Sequence, residues 1–381
     1  MARRSIAGRE TRLTLGSRLP TEAMIVHRLL SHGRTRLAAA VIGAALSAGC
    51  THSDPPSFVA PPPDGTFNAT SPVRLTYNPA MDTDGSFSED GKFIVYTYSV
   101  AGRRDRDRCL GIIPAGGGTR LFERCETRLA YNDSSDTYTS GALAADGRLL
   151  YLRVTSRIAT QVPAGPGLYL APSPDAPGQL LLTLPLAVGG QTATWLSDIR
   201  WTGTGSFTAL AQQITVVPRC PGCSLRDTVL VPLFVAAGTI SGSAAALQPI
   251  SGTDGAIAYA VSSNGTQILF TRGATTLELV SASGGASSTV ATIPVGQITG
   301  LGCARDVCVV SARLDEFNPF GVPITSWGLF SVPFSGGPLI QRARSESAVW
   351  TRPRVSPSST DILVQAELGS TRDLYLFRGL L

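Results

Sequence analysis

Beyond residue 52 this 381-residue chain contains no histidine; the only three are His27, His32 and His52. That removes Ser-His-Asp and Cys-His chemistry, in which an imidazole activates the nucleophile. The chain also lacks a Gly-x-Ser-x-Gly element, a phosphate loop and a dinucleotide-binding glycine pattern. Concentrated positive charge is missing too. The formal +5 comes from eight arginines at positions 3, 4, 9, 12, 18, 28, 34 and 36, opposed there only by Glu10 and Glu22. Past residue 50 the chain carries 24 basic and 25 acidic residues. Such a near-neutral remainder excludes a nucleic-acid partner, whose phosphates call for a dense basic surface. Long helical patterns are absent, apolar runs are short, and glycine (40) and proline (26) are frequent. The expectation is an all-β chain of many short strands, a class that often runs long as one unit.

The first fifty residues read as an address. From Met24, the expected true start, a basic stretch (MIVHRLLSHGRTR) precedes an apolar run (LAAAVIGAALSAG) and then Cys50. This is the layout of a secretory signal, and the run is shorter than the roughly 20 residues needed to span a bilayer. Leu46-Ser47-Ala48-Gly49-Cys50 resembles the lipobox of bacterial lipoproteins, with Ser47 where leucine is favoured. The resemblance implies cleavage before Cys50 and a lipid on its thiol, each buried CH₂ contributing about 0.8 kcal/mol. An ordinary signal peptide with an incidental cysteine is the alternative. The Arg3-Arg4 pair lies far from the apolar run and carries little weight as a twin-arginine signal. Residues 50–70, rich in Pro, Ser and Thr, read as an extended tether. Thr51 after the cysteine implies, by the same resemblance, the outer membrane of a Gram-negative envelope.

Six segments share one pattern: an apolar residue, a turn, then an apolar or alternating strand. They are Phe87–Thr97 (FSEDGKFIVYT), Leu143–Arg153 (LAADGRLLYLR), Trp201–Ala211 (WTGTGSFTALA), Val261–Thr271 (VSSNGTQILFT), Leu301–Ser311 (LGCARDVCVVS) and Val355–Gln365 (VSPSSTDILVQ). Their turn anchors are Gly91, Gly147, Gly205, Gly265, Arg305 and Ser359, spaced for four-stranded blades with insertions. Asp-Gly and Asn-Gly suit tight hairpins that need positive φ at the central positions. The last two copies lack that pair.

Phe87-Ser88-Glu89-Asp90-Gly91-Lys92 and Val355-Ser356-Pro357-Ser358 resemble the repeat of TolB-like β-propellers, the likeness covering about residues 71–381. It implies a six-bladed β-propeller and says little about activity, because one fold hosts many functions. The sixth copy offers only three strands. Val73-Arg74-Leu75-Thr76-Tyr77 is therefore expected to supply its outermost strand, closing the ring and leaving no open edge. TolB's separate N-terminal domain has no counterpart here.

With Cys50 assigned to lipid, six cysteines remain in an exported chain, and disulfides are the default. Fifteen pairings are possible; proximity favours Cys109–Cys125, Cys220–Cys223 and Cys303–Cys308. Cys220-Pro221-Gly222-Cys223 sits between strands with no helix after it, so a structural staple is favoured over a redox or zinc site.

For chemistry only carboxylates remain. Asp82 with Asp84 and Asp133 with Asp136 precede blades one and two, and Asp315-Glu316 lie in blade five; each pair also fits a turn or a solvated loop. Asp82-Thr83-Asp84-Gly85 is a fragment of a calcium loop without its remaining ligands. Insertions between second and third strands are long at Ala101–Arg108, Arg157–Pro166, Pro218–Asp227 and Asp315–Ser326, all on one face. Arg103, Arg104, Arg106, Phe317, Phe320 and Trp327 are candidate contacts there, against the alternative of a solvated hairpin and self-covering aromatics. The leading expectation is a monomeric, membrane-anchored propeller that binds an envelope protein, peptide or glycan without catalysis or cofactor. The alternative is a carbohydrate-active lyase or hydrolase using channel carboxylates; redox exchange at Cys220/Cys223 ranks third.

Overall fold

The computed structural model describes residues 72–381 except 79, 100–107, 126–133, 158–162, 219, 221–225, 274, 294–295, 318–319 and 370. The signal region, Cys50 and the tether fall outside the described residues. Six four-stranded antiparallel sheets make the six-bladed propeller that the repeat predicts. The first strands of the blades, which face one another across the central channel, are Asp82–Phe87, Ser134–Leu143, Trp195–Gly203, Ala258–Val261, Gln297–Ala304 and Val349–Val355. In blades one to five the chain simply meanders outward. Blade six is completed from the other end, Val73–Arg74 pairing antiparallel with Thr371–Phe377 through Val73↔Leu376 and Arg74↔Tyr375. The unforeseen element is a small hairpin, Leu186–Val188 with Gln191–Ala193, between blades two and three. Gly189 and Gly190 form its two-residue turn with φ of 58° and 80°, the mirror-image geometry that glycine supplies without strain.

Apolar residues fill the seams between blades. Val95, Leu110 and Ile112 of blade one meet Tyr138, Leu143 and Leu149 of blade two. Trp350 packs edge-on against Phe377 at 5.2 Å within blade six. Each such fully buried side chain stabilises by about 1.5–3 kcal/mol. The seam between blades five and six is closer still, since a Cβ on Gly302 would sit 2.2 Å from the Pro353 carbonyl oxygen. Only glycine fits there.

The repeated turns differ from the expected two-residue hairpin. Gly91, Gly147 and Gly265 have positive φ, but Asp90, Asp146 and Asn264 do not. The aspartate or asparagine instead organises a longer turn with its side chain: Ser88 Oγ donates to Asp90 Oδ1 at 2.7 Å, and Ser262 Oγ to Asn264 Oδ1 at 2.8 Å. The mirror-image turn occurs in blade five, where glycine is absent: Arg305 and Asp306 have φ of 48° and 61°. The Cys303–Cys308 disulfide clamps that hairpin, joining residues directly opposite each other. Cys109–Cys125 is also formed, tying the third strand of blade one to the end of its fourth. Cys220 is disulfide-bonded; Cys223 is outside the described residues.

Two of the expected long loops lie at the ends of extended strand pairs: strands reach Pro218 and resume at Arg226 around the first, and residues 315–317 and 323–326 of the second are themselves strand. In blade three Ser206–Pro218 and Arg226–Ser241 continue outward as a paired ribbon, and in blade five Val307–Phe317 and Pro323–Pro333 do the same. The β-branched residues Thr215 and Val216, paired with Val229 and Thr228, favour extended backbone on both sides of the first loop.

Ring closure carries a polar plug. Asp82 and Asp373 are 0 % and 2 % exposed, and each has one carboxylate oxygen without a hydrogen-bond partner. Arg74 meets Asp373 at 2.7 Å, while Asn78 donates to Asp82 Oδ1 at 3.3 Å and to the Ser99 carbonyl at 2.6 Å. Burial pushes the Asp82 carboxyl up to about 7, bonds from Thr76 and Asn78 oppose the rise, and Asp373 adds to it. A carboxyl that holds its proton more tightly folded than unfolded stabilises fully below its unfolded value, and that stabilisation is lost as pH rises through about 7. Urea unfolding of the wild type is therefore expected to show a lower midpoint at about pH 8 than at about pH 5. Asp82→Asn, neutral throughout, should flatten that slope; an identical slope in the variant would contradict the assignment.

Candidate active site

The channel wall is shaped by one irregularity repeated around the ring. Pairing between the first and second strands slips between Thr83 and Ser86, Thr139 and Ala142, Ser197 and Arg200, Ile298 and Gly300, and Thr351 and Arg354. A bulge frees a residue from the ladder and re-aims it. The freed residues include Asp84, Ser140, Asp198, Thr299 and Arg352. Four of them occupy left-handed backbone, with φ of 56° (Asp84), 55° (Ser140), 50° (Asp198) and 50° (Arg352). Each such non-glycine residue costs about 1–3 kcal/mol and persists only where its surroundings hold it. Aspartate tolerates this region best; a bulky arginine does so rarely.

These positions assemble a charged cluster. Arg352 of blade six pairs with Asp84 Oδ1 of blade one, and Thr139 donates to Asp84 Oδ2 at 3.4 Å. Asp198 of blade three accepts from Arg200 Nε at 3.1 Å and Nη2 at 3.0 Å, and from Arg354 Nη2 at 2.7 Å. The Tyr259 hydroxyl of blade four donates to the Asp198 carbonyl at 2.7 Å, and Arg354 Nη1 donates to the Leu301 carbonyl of blade five at 3.2 Å. Burial alone would raise the Asp198 carboxyl, but Arg200 and Arg354 outweigh it and hold the group below the ordinary carboxylate range. Burial lowers Arg354 to about 10, with Asp198 opposing and Arg200 adding. Burial also brings Arg352 down to about 10, helped by repulsion from Arg354 and Arg372.

Arg354 lies between two hollows. A cavity of about 240 Å³ is lined by Ser197, Asp198, Gln212, Thr299, Arg352 and Arg354. A second, of about 350 Å³ at the end bearing the interstrand turns, is bounded by Glu89, Arg200, Trp201, Arg305 and Arg354 among others. Carboxylates beside cations in an enclosed space can exchange protons with a substrate while the guanidinium groups stabilise developing negative charge. Among the described residues no group of three or more His, Cys, Asp or Glu side chains is placed to hold a metal.

The sequence-derived residues separate. Asp84 joins the cluster through Arg352 and Thr139. Asp82, two positions earlier in the same strand, belongs to the closure plug, so the Asp82–Gly85 segment is strand rather than calcium loop. Asp136 also lies inside a first strand rather than before it, bound to Thr155 Oγ1 at 2.6 Å and to Arg153. Asp315 and Glu316 are strand residues on the blade-five ribbon, meeting Arg313 at 3.0 Å and Arg344 at 2.8 Å. Phe317 and Phe320 stand 74 % and 88 % exposed near that ribbon's end, and Trp327 is half-buried in its returning strand. Arg103, Arg104, Arg106 and Asp133 lie outside the described residues. Asp198, Arg200, Arg352 and Arg354 were not anticipated. The available signal was their register: Asp84, Ser140, Asp198 and Arg352 each stand seven residues before the turn anchor of their repeat.

No protein-family model matches the chain, and no curated protein matches it by sequence. Solved structures do match. The chain is similar to a gluconolactonase from Xanthomonas campestris at 13 % identity and a TM-score of 0.52, covering 85 % of this chain and 94 % of that one. A TolB protein from Agrobacterium tumefaciens matches at 15 % identity and a TM-score of 0.42, covering 78 % and 90 %. An oligogalacturonate lyase in complex with manganese matches at 12 % identity and a TM-score of 0.38, covering 80 % and 91 %. The first likeness shows a shared propeller fold. It also corrects the expectation of a non-catalytic binding module: the fold is shared with an enzyme, and here carboxylates and arginines converge in the channel rather than an apolar face of loops.

Removing one partner of a buried ion pair costs about 3–5 kcal/mol, because the other charge is left uncompensated. Asp198→Asn, which strands both Arg200 and Arg354, is expected to lose stability of that order by urea unfolding. A loss under about 1 kcal/mol, the range of exposed pairs, would show that the cluster is solvated.

Proposed function

We propose that this propeller is a carbohydrate-active hydrolase or lyase whose active site is the channel. The observation that carries the reading is the delivery of Asp84 and Asp198, on left-handed bulges, into one channel with Arg200, Arg352 and Arg354. In a region without histidine, a carboxylate is the available general base. Asp84 is assigned that role because Asp198 already accepts three N–H donors, whereas among the described residues Asp84 Oδ2 is held by Thr139 alone, at 3.4 Å. Asp84 takes a proton either from the attacking water or from the carbon beside a carbonyl. Arg352 and Arg354 then face the oxyanion or enolate that forms, and its collapse breaks the bond to the leaving oxygen, which takes the proton back from Asp84. Asp198 positions Arg354 and Arg200. The propeller fold shared with a gluconolactonase supports an activity on sugars.

Purified protein is to be incubated with sugar lactones, oligouronides and neutral glycosides, and products read by mass. Hydrolysis adds one water across the cleaved bond; elimination adds none. Asp84→Asn is expected to lower turnover by about 10²-fold or more while leaving unfolding close to wild type. Turnover of no substrate class, or full activity in Asp84→Asn, would overturn the reading.

Export and lipid attachment at Cys50, with residence in the outer membrane of a Gram-negative envelope, belong to the same proposal and are supported by the lipobox-like Leu46–Cys50. Metabolic labelling with a fatty-acid probe should mark the wild type and not Cys50→Ala; equal labelling would refute the anchor.

A further inference from the structure

We infer that the channel contains an anion subsite, and that the substrate carries a carboxylate received by Arg352 and Arg354. The substrate class is then a sugar acid; the inference rests on reading the channel as the active site.

The cluster holds three guanidinium groups against two carboxylates. Arg352 is matched by Asp84, while Arg200 and Arg354 share Asp198, so one positive charge is in excess. Arg372 adds no further excess charge, since Glu367 already meets it at 2.8 Å. An uncompensated charge inside a protein is costly, and a bound counter-ion relieves that cost. Two geometric facts say where an anion would sit. Arg352 and Arg354 both line the 240 Å³ cavity, and the Arg352 side chain is 45 % exposed, so it is open to a ligand. Arg354 keeps a buried Nε without any hydrogen-bond partner after its Nη atoms have met Asp198, Leu301 and Pro353. The planar fork of arginine suits a carboxylate bidentately. Around it, Ser197, Gln212 and Thr299 offer neutral hydrogen-bonding groups of the kind that hold sugar hydroxyls. The cavity is smaller than the about 300–1,000 Å³ of pockets for drug-sized ligands, a scale that suits a single sugar ring. Burial is the first cause of the lowered proton affinity of both arginines, and repulsion of Arg352 by Arg354 and of Arg354 by Arg200 adds to it.

Calorimetric titration of the full chain with D-glucuronate, D-glucose and inorganic phosphate tests this directly, because the two sugars differ only in a carboxylate against a hydroxymethyl group. Glucuronate is expected to bind at least about ten-fold more tightly than glucose, to weaken with added salt, and to exceed phosphate. Arg352→Gln should abolish the preference and Arg352→Lys should keep part of it. Should Arg352→Gln fail to fold, the glucuronate-to-glucose ratio and its salt dependence in the wild type carry the test. Equal binding of both sugars, binding of neither, tighter binding of phosphate, or an unchanged preference in Arg352→Gln would each overturn the inference. Its failure is separable from failure of the enzymatic reading. Turnover of neutral glycosides as fast as uronides removes the anion subsite and leaves the enzyme, whereas glucuronate preference without turnover of any substrate removes the enzyme and leaves the subsite.

Discussion

A single ion pair crosses the middle of the ring. Asp198 and Arg354 are 156 residues apart in the chain and belong to blades three and six, which oppose each other in a six-membered circle. Asp198 also holds Arg200 and, through its carbonyl, the hydroxyl of Tyr259; Arg354 reaches the Leu301 carbonyl. Four of the six first strands thus converge on one hydrogen-bonded knot. Low surrounding polarity strengthens each paired bond of such a knot and penalises each unpaired one, of which the buried Arg354 Nε is an example.

That constraint explains why the backbone departs from ideal strand geometry at the channel. A regular strand alternates side chains between the two faces of its blade, and both faces are covered by neighbouring blades. A bulge on five of the six first strands releases one side chain toward the axis instead. The left-handed backbone at Asp84, Ser140, Asp198 and Arg352 costs free energy, which the apolar seams and the closure of blade six by Val73–Arg74 offset. The scaffold is rigid where it must hold charges against one another.

The architecture was legible in the sequence because repetition reports it. Six copies of one turn and strand fix the number of blades, and a lone strand ahead of the first copy fills the place missing from the last. Turn geometry was less legible: Asp-Gly accommodates two turn families, and in the three copies with Asp or Asn before glycine the Asp90, Asp146 and Asn264 side chains accept from the backbone N–H of Lys92, Arg148 and Thr266. The channel was largely illegible. Asp198, Arg200 and Arg354 look like solvent-facing positions of an alternating strand, and nothing local distinguishes a channel axis from bulk water. Asp84 was named only as a neighbour of Asp82, yet its partner Arg352 lies at the far end of the chain. Charges paired across a ring leave no spacing between partners to read; the signal is only each residue's seven-residue offset from its own turn anchor. The non-catalytic expectation arose from that blindness, since it sought acid–base pairs close together in sequence.

The central claim is that Asp198 and Arg354 act on each other across the channel, rather than each serving its own blade. A double-mutant cycle on folding stability, with Asp198→Asn, Arg354→Met and the pair combined, measures that interaction alone. A coupling energy of about 2 kcal/mol or more, with the double variant less destabilised than the sum of the singles, is the result this account predicts. Effects that add within about 0.5 kcal/mol would contradict it.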